Sequence, residues 1–358
     1  MPGEDGPMET EVAIVGGGLS GLALARRLDR SGVDFQLLEA RGRFGGRIAA
    51  LETPSGPVDL GPSWFWPGQP RMAALLAALD LSGFPQYAEG DLSFEDEAGR
   101  AHRGVGFASM AGSIRIAGGV VRLVDALVAG LPGSRLHRGA RVSALDSAGG
   151  VHLADGRAWR ARRIVLALPP RVAAKVTFRP ALAPEQIGRL ERIPTWMAGH
   201  AKFVAVYDAP FWRASGLSGD AMSRRGPLVE IHDASGPDGA PAALFGFLGP
   251  APAHRAHRAD EIEAAALAQL ARIFGAAAGA PTQTALQDWA FEPETATEQD
   301  FIPPAAHPDY AAPFARPGLW NGRLQFASTE TAPEMGGYME GALAAAERMA
   351  ADIIELYK

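Results

Sequence analysis

The sequence has no cysteine at all. Disulfides, zinc–thiolate sites, thiol nucleophiles and cofactors attached through a thioether are therefore excluded. A chain without cysteine is typical of a reducing compartment, because disulfides do not persist there. We therefore expect a cytoplasmic protein.

Long apolar runs and blocks of a single charge are also absent. No stretch approaches the about 18 apolar residues of a membrane-spanning helix, so no membrane contact is expected. The 34 basic and 40 acidic residues give a net charge of −6 without a basic stripe, which argues against a nucleic-acid partner. The opening MPGEDGPMET lacks the basic start and apolar run of a signal peptide, and we expect residues 1–7 to form a disordered leader.

The chain does have enough apolar material for a large core, since 47% of its 358 residues are hydrophobic. This length exceeds the size at which one core usually stops growing, so two domains are expected. Apolar periodicity predicts helices at 19–32, 71–81, 118–133, 259–277 and 341–358. Strands are predicted at 11–16 and 33–40, within 140–170 and 196–248, and at 322–328, whereas 290–318 reads as irregular.

A glycine fingerprint lies between the first predicted strand and the first predicted helix. The sequence GGGLSG places Gly16, Gly18 and Gly21 in a G-x-G-x-x-G pattern, and Glu39 ends the second strand. The three glycines allow a tight turn, a close approach of backbone to pyrophosphate, and close packing of helix on strand. The helix N-terminus favours phosphate, and the acid can accept hydrogen bonds from ribose hydroxyls. The pattern predicts a dinucleotide without a 2′-phosphate, which Glu39 would repel.

Four segments in order carry a resemblance to a known family. They are EARGRFGGRIAA at 39–50, RRIVLALPP at 162–170, HAKFVAVYDAPFWR at 200–213 and FASTETAPEMGGYMEGALAAAER at 326–348. The first is similar to the family's flavin-specific loop, and the last to its C-terminal flavin signature. With these segments the chain resembles the FAD-dependent flavin amine oxidases, the monoamine oxidase-like flavoproteins.

The resemblance implies an α/β fold with two domains. One would be a Rossmann-like FAD-binding domain of the GR2 type, and the other an α+β substrate domain built on a mixed or antiparallel sheet. The FAD-binding domain is expected to be discontinuous, at 8–64, 111–178 and 288–358, with the substrate domain at 65–110 and 179–287.

The family's FAD contacts can be carried onto this chain residue by residue. Arg47 would reach the pyrophosphate, and the backbone of Val142 would pair with the adenine ring. Glu330 would bond to the ribityl chain, and Met339 would offer its N–H to the flavin. Ser328 departs from the family pattern, which has glycine there. The full implied set is Gly16, Gly18, Leu19, Ser20, Gly21, Glu39, Ala40, Arg41, Gly45, Gly46, Arg47, Gly61, Pro62, Ser63, Trp64, Val142, Trp289, Ser328, Glu330, Gly337, Tyr338 and Met339.

The resemblance also implies two catalytic residues. Lys202 matches the lysine that holds a water against the flavin, although its strand pattern alone favours an exposed side chain. Tyr338 matches one wall of an aromatic cage that flanks the amine. The second wall falls near Gln299, which is not aromatic. Phe301 or an aromatic of the run Trp64–Trp66 is therefore a candidate for it.

The function that the resemblance implies is oxidation of a small-molecule amine by FAD. The C–N bond would be oxidised to an imine, which hydrolyses to an aldehyde or ketone plus ammonia or an amine, while O2 becomes H2O2. A flavin-dependent desaturase or isomerase acting on C–C bonds, an amino-acid oxidase and a flavin-binding protein without activity remain as alternatives.

The attachment of FAD is expected to be non-covalent, because the family's flavin-linking cysteine falls near Glu298. No metal is expected either. His254 and His257 lie three residues apart, yet no acid or thiol is placed to complete a site with them. The oligomeric state stays open.

Overall fold

The computed structural model describes residues 7–357, which form two large sheets with helices packed on them. The expected leader at 1–7 lies outside the described residues, apart from Pro7. The α-helices are α1 (Leu19–Arg30), α2 (Pro70–Ala78), α3 (Val121–Ala129), α4 (Pro170–Ala173), α5 (Pro184–Glu191), α6 (Phe211–Ala214), α7 (Pro252–Arg255), α8 (Ala259–Phe274) and α9 (Met339–Ile354).

The β-strands are β1 (Met8–Val15), β2 (Phe35–Leu38), β3 (Ala50–Leu51), β4 (Val58–Asp59), β5 (Gly83–Pro85), β6 (Asp91–Glu95), β7 (Ala101–Arg103), β8 (Ile114–Ile116), β9 (Leu136–His137), β10 (Val142–Asp146), β11 (Gly150–Leu153), β12 (Ala158–Leu166), β13 (Thr177–Arg179), β14 (Ala201–Tyr207), β15 (Leu217–Ser223), β16 (Leu228–Asp233), β17 (Ala242–Leu248), β18 (Gln283–Asp288) and β19 (Leu324–Phe326). Short 3₁₀ turns occur at Gly133–Arg135, Ala276–Gly279, Trp289–Phe291, Glu298–Phe301, Thr329–Thr331 and Glu355–Tyr357.

The first sheet carries the glycine fingerprint. Its strand order is β13-β10-β11-β12-β1-β2-β9, and β19 also pairs with β12. Strand β1 runs parallel to both β12 and β2, and Val12 and Ile14 within it are fully buried. Because the carboxyl ends of parallel strands meet at one edge of a sheet, Gly16 and Glu39 emerge there side by side.

The C-terminal helix returns to pack against the first helix. Leu22 and Leu28 of α1 share a buried core with Leu343 and Met349 of α9, because both helices place apolar residues on one face. Next to this core, the Ser20 hydroxyl donates a hydrogen bond to the carbonyl of Ala327. The two ends of the described chain thus meet beside the glycine fingerprint.

A carboxylate from α9 caps another helix. The Glu340 side chain accepts hydrogen bonds from the backbone N–H groups of Arg71 (3.0 Å) and Met72 (2.9 Å) in the first turn of α2. A negative charge at a helix N-terminus stabilises the otherwise unpaired N–H groups there. This buried cap fixes the position of α9, whose own first turn borders the site described below.

The second sheet has the order β18-β14-β17-β16-β15-β6-β7. The sheet is mixed: β15 runs parallel to β6, and every other pair of neighbouring strands in this sheet is antiparallel. Strand β14 lies between β17 and β18 and is buried along its whole length. Helix α8 covers one face with Leu270 and Phe274. The domain limits given above stay a prediction.

The element pattern agrees with the sequence-based expectation over the long helices and buried strands. Helices α1, α3, α8 and α9 lie within or overlap the predicted ranges, and residues 290–318 contain only short 3₁₀ turns. The helix at Pro184–Glu191 was not predicted, because its apolar positions are few and it is only two turns long.

Candidate active site

A cavity of about 500 Å³ joins the edge of the first sheet to the start of β14. Its walls come from the ends of β1 and β2, from the loop after Glu39, from β14 and from the first turn of α9. Among the implied cofactor and catalytic residues, all line this cavity except Gly21 and Glu330.

The glycine loops shape the nucleotide end of the cavity. Gly16 has a φ of 109°, and a Cβ there would lie 2.7 Å from the carbonyl oxygen of Ala167, so no other residue fits. At Gly18 a Cβ would meet nothing closer than 4.0 Å, which leaves open space in front of α1. The N–H of Gly45 donates to the carbonyl of Gly17 (2.8 Å) and joins the two loops. Because α1 has no acid in its first turn, its N-terminus can accept a pyrophosphate.

Glu39 is held in place by backbone donors. Its Oε2 accepts from the N–H of Gly17 (2.8 Å), and its Oε1 accepts from the N–H of Arg41 (2.8 Å). Each carboxylate oxygen keeps a second lone pair, and the side chain is nearly buried yet lines the cavity. These lone pairs fit ribose hydroxyls.

The two implied residues that do not line the cavity lie directly behind it. Gly21 packs α1 against β1, because a Cβ there would overlap the carbonyl of Gly16. Glu330 is fully buried, with Oε1 2.7 Å from a guanidinium nitrogen of Arg47, which does line the cavity. That distance makes an ion pair, but its geometry is not that of a directed hydrogen bond. Arg47 therefore connects the buried carboxylate to the cavity wall.

Buried polar atoms that lack a hydrogen bond show whether FAD fits beside the cavity. Within residues 7–357, neither Glu330 oxygen nor the Ser328 hydroxyl has a hydrogen-bond partner, and both side chains are buried. Such groups are costly unless a ligand or water completes them. Ser328, which replaces the family's glycine, lines the cavity without blocking it. The residues present fit a dinucleotide along this wall.

Two arginines after Glu39 have different surroundings. Arg41 lines the cavity and donates to Glu292 (3.1 Å) and Thr295 (2.9 Å). Arg43 instead donates to carbonyls of its own loop, those of Gly46 and Ile48 (both 2.9 Å). Of the two arginines, Arg41 is the one that faces the site, and Arg43 holds the loop in shape.

The side chain of Lys202 is buried against the second sheet instead of being exposed to solvent. It is 2% exposed, and its Nζ donates to Ser63 Oγ (2.7 Å) and to the carbonyl of Gly61 (3.2 Å). The same nitrogen lies 3.8 Å from the ring centre of Phe245, a cation–π contact. Burial lowers the pKa of Lys202 to about 7, although the Asp59 carboxylate opposes this shift. A buried amine is thus held at the cavity wall.

Tyr338 has aromatic neighbours on two sides. Trp66 meets it edge-on, with ring centres 6.3 Å apart, and His307 stacks on it at 5.0 Å with the planes 11° apart. Trp66 and Tyr338 line the cavity, and Trp196, which also lines it, meets His307 edge-on at 4.9 Å. His307 is exposed and is not part of the cavity wall, so it supports Tyr338 from outside.

The structure shows which candidates for the second wall of the aromatic cage line the cavity and which do not. Phe301 packs on Phe291 with ring centres 5.4 Å apart and does not line the cavity, so it cannot form that wall. Trp64 and Trp66 do line it, whereas Phe65 is buried in the core of the first sheet. Trp196 was not predicted, and no periodic pattern marks it, because it lies in a turn between α5 and β14.

Comparison with known protein families decides the class. Residues 105–354 match the family model described as flavin containing amine oxidoreductase, and residues 14–79 match that of an NAD(P)-binding Rossmann-like domain. The chain belongs to the flavin-containing amine oxidoreductases. This membership confirms the family resemblance, the oxidoreductase class, the Rossmann-type α/β fold and FAD as the cofactor.

Relatives of this amine oxidoreductase cover nearly its full length. It is 26% identical to AofH, a candidate flavin-containing monoamine oxidase of Mycobacterium tuberculosis, over 98% of each chain. It is 25% identical to amine oxidase [flavin-containing] B of Sus scrofa over 96% of this chain and 86% of that protein. Cyclohexylamine oxidase of Brevibacterium oxydans shares its fold with a TM-score of 0.80 at 22% identity, over 97% of this chain and 99% of the other.

The same fold occurs in putrescine oxidase bound to putrescine, with a TM-score of 0.79 at 21% identity over 98% of this chain and 100% of the other. In residues 7–357 of the amine oxidoreductase, no helix has the length and apolar character to cross a membrane. The described residues also contain no group of three or more metal-ligating side chains.

Proposed function

We propose that this chain oxidises the C–N bond of a small-molecule amine to an imine, which hydrolyses to an aldehyde or ketone plus ammonia or an amine. O2 is reduced to H2O2. The observation that carries this proposal is the single cavity that links the glycine loops to Lys202 and Tyr338. FAD supplies the two-electron chemistry when it is bound.

The proposed roles of the protein's residues follow from their positions. The N-terminus of α1 and Arg47 hold the pyrophosphate, and Glu39 holds a ribose. Lys202 offers Nζ at the cavity wall, where it can hold a water against the reacting face of the flavin. Tyr338 presents a ring whose negative face favours a cationic or electron-poor amine group. Glu330 is proposed to bond to the ribityl chain, and Val142 and Met339 to contact the adenine ring and the flavin through their backbone.

The substrate class is proposed from the lining of the cavity and from the relatives. Trp64, Trp66 and Phe247 give its substrate end an apolar aromatic wall. The structural relatives include proteins named as putrescine and cyclohexylamine oxidases, so aliphatic and arylalkyl amines are the first compounds to test. The arginines of the wall, Arg41, Arg47 and Arg141, belong to nucleotide-side segments, which disfavours an amino-acid carboxylate as the anchor.

The test is a panel of amines given to the FAD-loaded protein. The panel contains benzylamine, putrescine, cyclohexylamine and n-butylamine, with alanine and phenylalanine as amino-acid controls. We expect at least one amine to bleach the flavin absorption anaerobically and to produce H2O2 in air, while the amino acids do neither. Bleaching by amino acids alone, or by none of these compounds, would contradict amine oxidation as the function.

The proposed attachment of FAD is non-covalent, because the chain offers no cysteine for a thioether. Acid precipitation of the yellow protein should therefore release all of the flavin into the supernatant without proteolysis. Flavin absorption that stays with the precipitated chain would show a bond to another side chain instead.

A further inference from the structure

An irregular segment that follows the second sheet forms part of the cavity wall. Residues 292–297 lie between two short 3₁₀ turns that come after β18. Three residues of this segment, Pro293, Glu294 and Thr295, line the cavity. We call residues 292–297 the strap.

Both ends of the strap are anchored by buried side chains. Before the strap, the indole N–H of Trp289 donates to the carbonyl of Leu60 (3.1 Å). At its far end, the Asp300 carboxylate accepts from the N–H of Thr297 (2.8 Å) and forms an ion pair with Arg171. Movement of the strap is therefore confined to the residues between these two anchors.

Between the anchors, two arginines hold the strap through its acidic side chains. Arg41, in the loop after β2, donates to Glu292 (3.1 Å) and to the hydroxyl of Thr295 (2.9 Å). Arg141, directly before β10, forms an ion pair with Glu294. Both arginines line the cavity themselves. These contacts join the strap to the nucleotide-side wall of the cavity.

The contacts in the middle of the strap are weaker than its anchors. The side chains of Arg141 and Glu292 are 53% and 34% exposed, and ion pairs that water reaches contribute little to stability. The anchoring pair of Asp300 and Arg171 is only 2% and 13% exposed, and breaking a buried pair is costly because it leaves a charge without a partner. The strap can therefore separate from the two arginines while its ends stay fixed.

The strap lies beside the adenine half of the cofactor in the proposed placement of FAD. That placement extends along the cavity from Val142 to Met339. Arg141, which holds the strap through Glu294, directly precedes Val142. The nucleotide half of FAD is therefore next to the point where the strap is closed.

We propose that the strap is a gate for the cofactor, which Arg41 and Arg141 hold closed over the nucleotide half of FAD. FAD then enters and leaves only when these contacts break. The gate governs exchange of the cofactor, so this inference goes beyond the amine oxidation proposed above. It requires that locking the strap slows both binding and release of FAD, and that removing its ion pairs makes release faster.

The absence of cysteine from the chain allows the strap to be locked at one chosen position. In the double variant Arg141→Cys, Glu294→Cys, a short bismaleimide joins the two introduced thiols after FAD has been loaded. The same variant with N-ethylmaleimide on each thiol is the control. Release is followed by the rise of FAD fluorescence after mixing with excess ADP, which prevents rebinding at the nucleotide end.

We expect the cross-linked protein to release FAD at least tenfold more slowly than the capped protein. When the cross-link is made before loading, binding of FAD should be at least tenfold slower as well. Equal rates in the cross-linked and the capped protein, for release or for binding, would overturn the gate.

A second measurement removes the ion pairs of the strap. The double variant Glu292→Gln, Glu294→Gln keeps the shape of both side chains, and Glu298→Gln, at an exposed acid just after the strap, is the control. Loss of two negative charges alone would favour an anionic cofactor and slow its release. An opened strap has the opposite effect, so we expect release at least fivefold faster in the double variant and unchanged in the control.

Slower or unchanged release in the double variant would overturn the proposal. Neither measurement uses an amine, so a failure of the proposed amine oxidation would leave the test of the gate intact.

Discussion

Lys202 shows how a single charged residue can be kept inside a sheet. Its ammonium is buried 3.8 Å from the centre of the Phe245 ring and donates to Ser63, and burial lowers its pKa from the ordinary 10.5 to about 7. A base whose pKa is lowered by folding destabilises the folded state wherever the unfolded chain is still protonated. The cost is fully present below the folded pKa and disappears as the pH rises towards the unfolded value.

Replacing Lys202 by methionine should therefore stabilise the protein most near neutral pH. The pH-dependent gain is on the order of 5 kcal/mol, since the pKa falls from 10.5 to about 7 and each unit of pKa shift is worth about 1.4 kcal/mol. It should shrink steadily between about pH 7 and about pH 10. Urea unfolding of the FAD-free protein at several pH values measures this gain. The exposed Lys175→Met is the control and should show no such trend; a gain that is constant with pH would contradict the buried charge.

Tyr338 and His307 form a stacked pair in which only the tyrosine lines the cavity. Tyr338→Ala should lower kcat/KM for an amine by more than about tenfold, because the ring that we propose to face the amine is lost. His307→Ala should lower it only a few-fold, since it removes support and no contact surface. Steady-state kinetics on matched FAD-loaded proteins measures both effects. Equal losses in the two variants would place His307 in contact with the substrate.

At the scale of the element, the turn from β1 into α1 contains two glycines that are needed for different reasons. Gly16 is required by its φ of 109° and by the carbonyl oxygen of Ala167, which would lie 2.7 Å from any Cβ at this position. Gly18 has a φ of −74°, which any residue can adopt, and open space in front of it. Gly16 serves the fold, and Gly18 leaves open the space where we propose that the pyrophosphate binds.

Gly18→Ala should therefore fold as well as the wild type but bind FAD at least tenfold more weakly. Without FAD it should be slightly more stable, by about 0.4–1 kcal/mol, because alanine restricts the unfolded chain. Gly16→Ala should lose both stability and FAD. Thermal unfolding without cofactor and FAD titration by fluorescence quenching distinguish these outcomes. Unchanged FAD affinity in Gly18→Ala would show that the cofactor lies elsewhere.

At the scale of the whole molecule, two segments more than 300 residues apart border one cavity. The glycine turn lies at its nucleotide end, and Tyr338 and Met339 lie at its other end. The core shared by α1 and α9 brings them together. A long cofactor that contacts both ends of the cavity should make local unfolding rarer at both. The reason is that the ligand binds only the folded form of each segment and so stabilises that form.

Hydrogen–deuterium exchange with and without FAD tests this arrangement. FAD should slow exchange both at residues 14–24 and at residues 336–345. ADP, which can occupy only the nucleotide end, should slow exchange in the first segment alone. Protection of the first segment alone by FAD would contradict the placement of the flavin beside Tyr338 and Met339.

Much of the fold was readable from the sequence because the signals are local. The strand, glycine turn, helix and acid of residues 11–39 lie within one stretch, and each has a direct physical reason. The long helices showed their apolar period, and the four motifs in order indicated the family that the comparisons confirmed. The absence of cysteine also determined by itself that no thioether links the flavin.

Other features were decided only by the tertiary structure. A lysine on an alternating strand predicts an exposed side chain, yet Gly61, Ser63 and the ring of Phe245 cover Lys202. Trp196 and His307 come from turns and irregular chain, where no period marks a residue as functional. Their roles arise because packing brings distant segments to one cavity. Sequence spacing records which residues are neighbours along the chain, but only the folded chain decides which groups are left without partners beside a ligand.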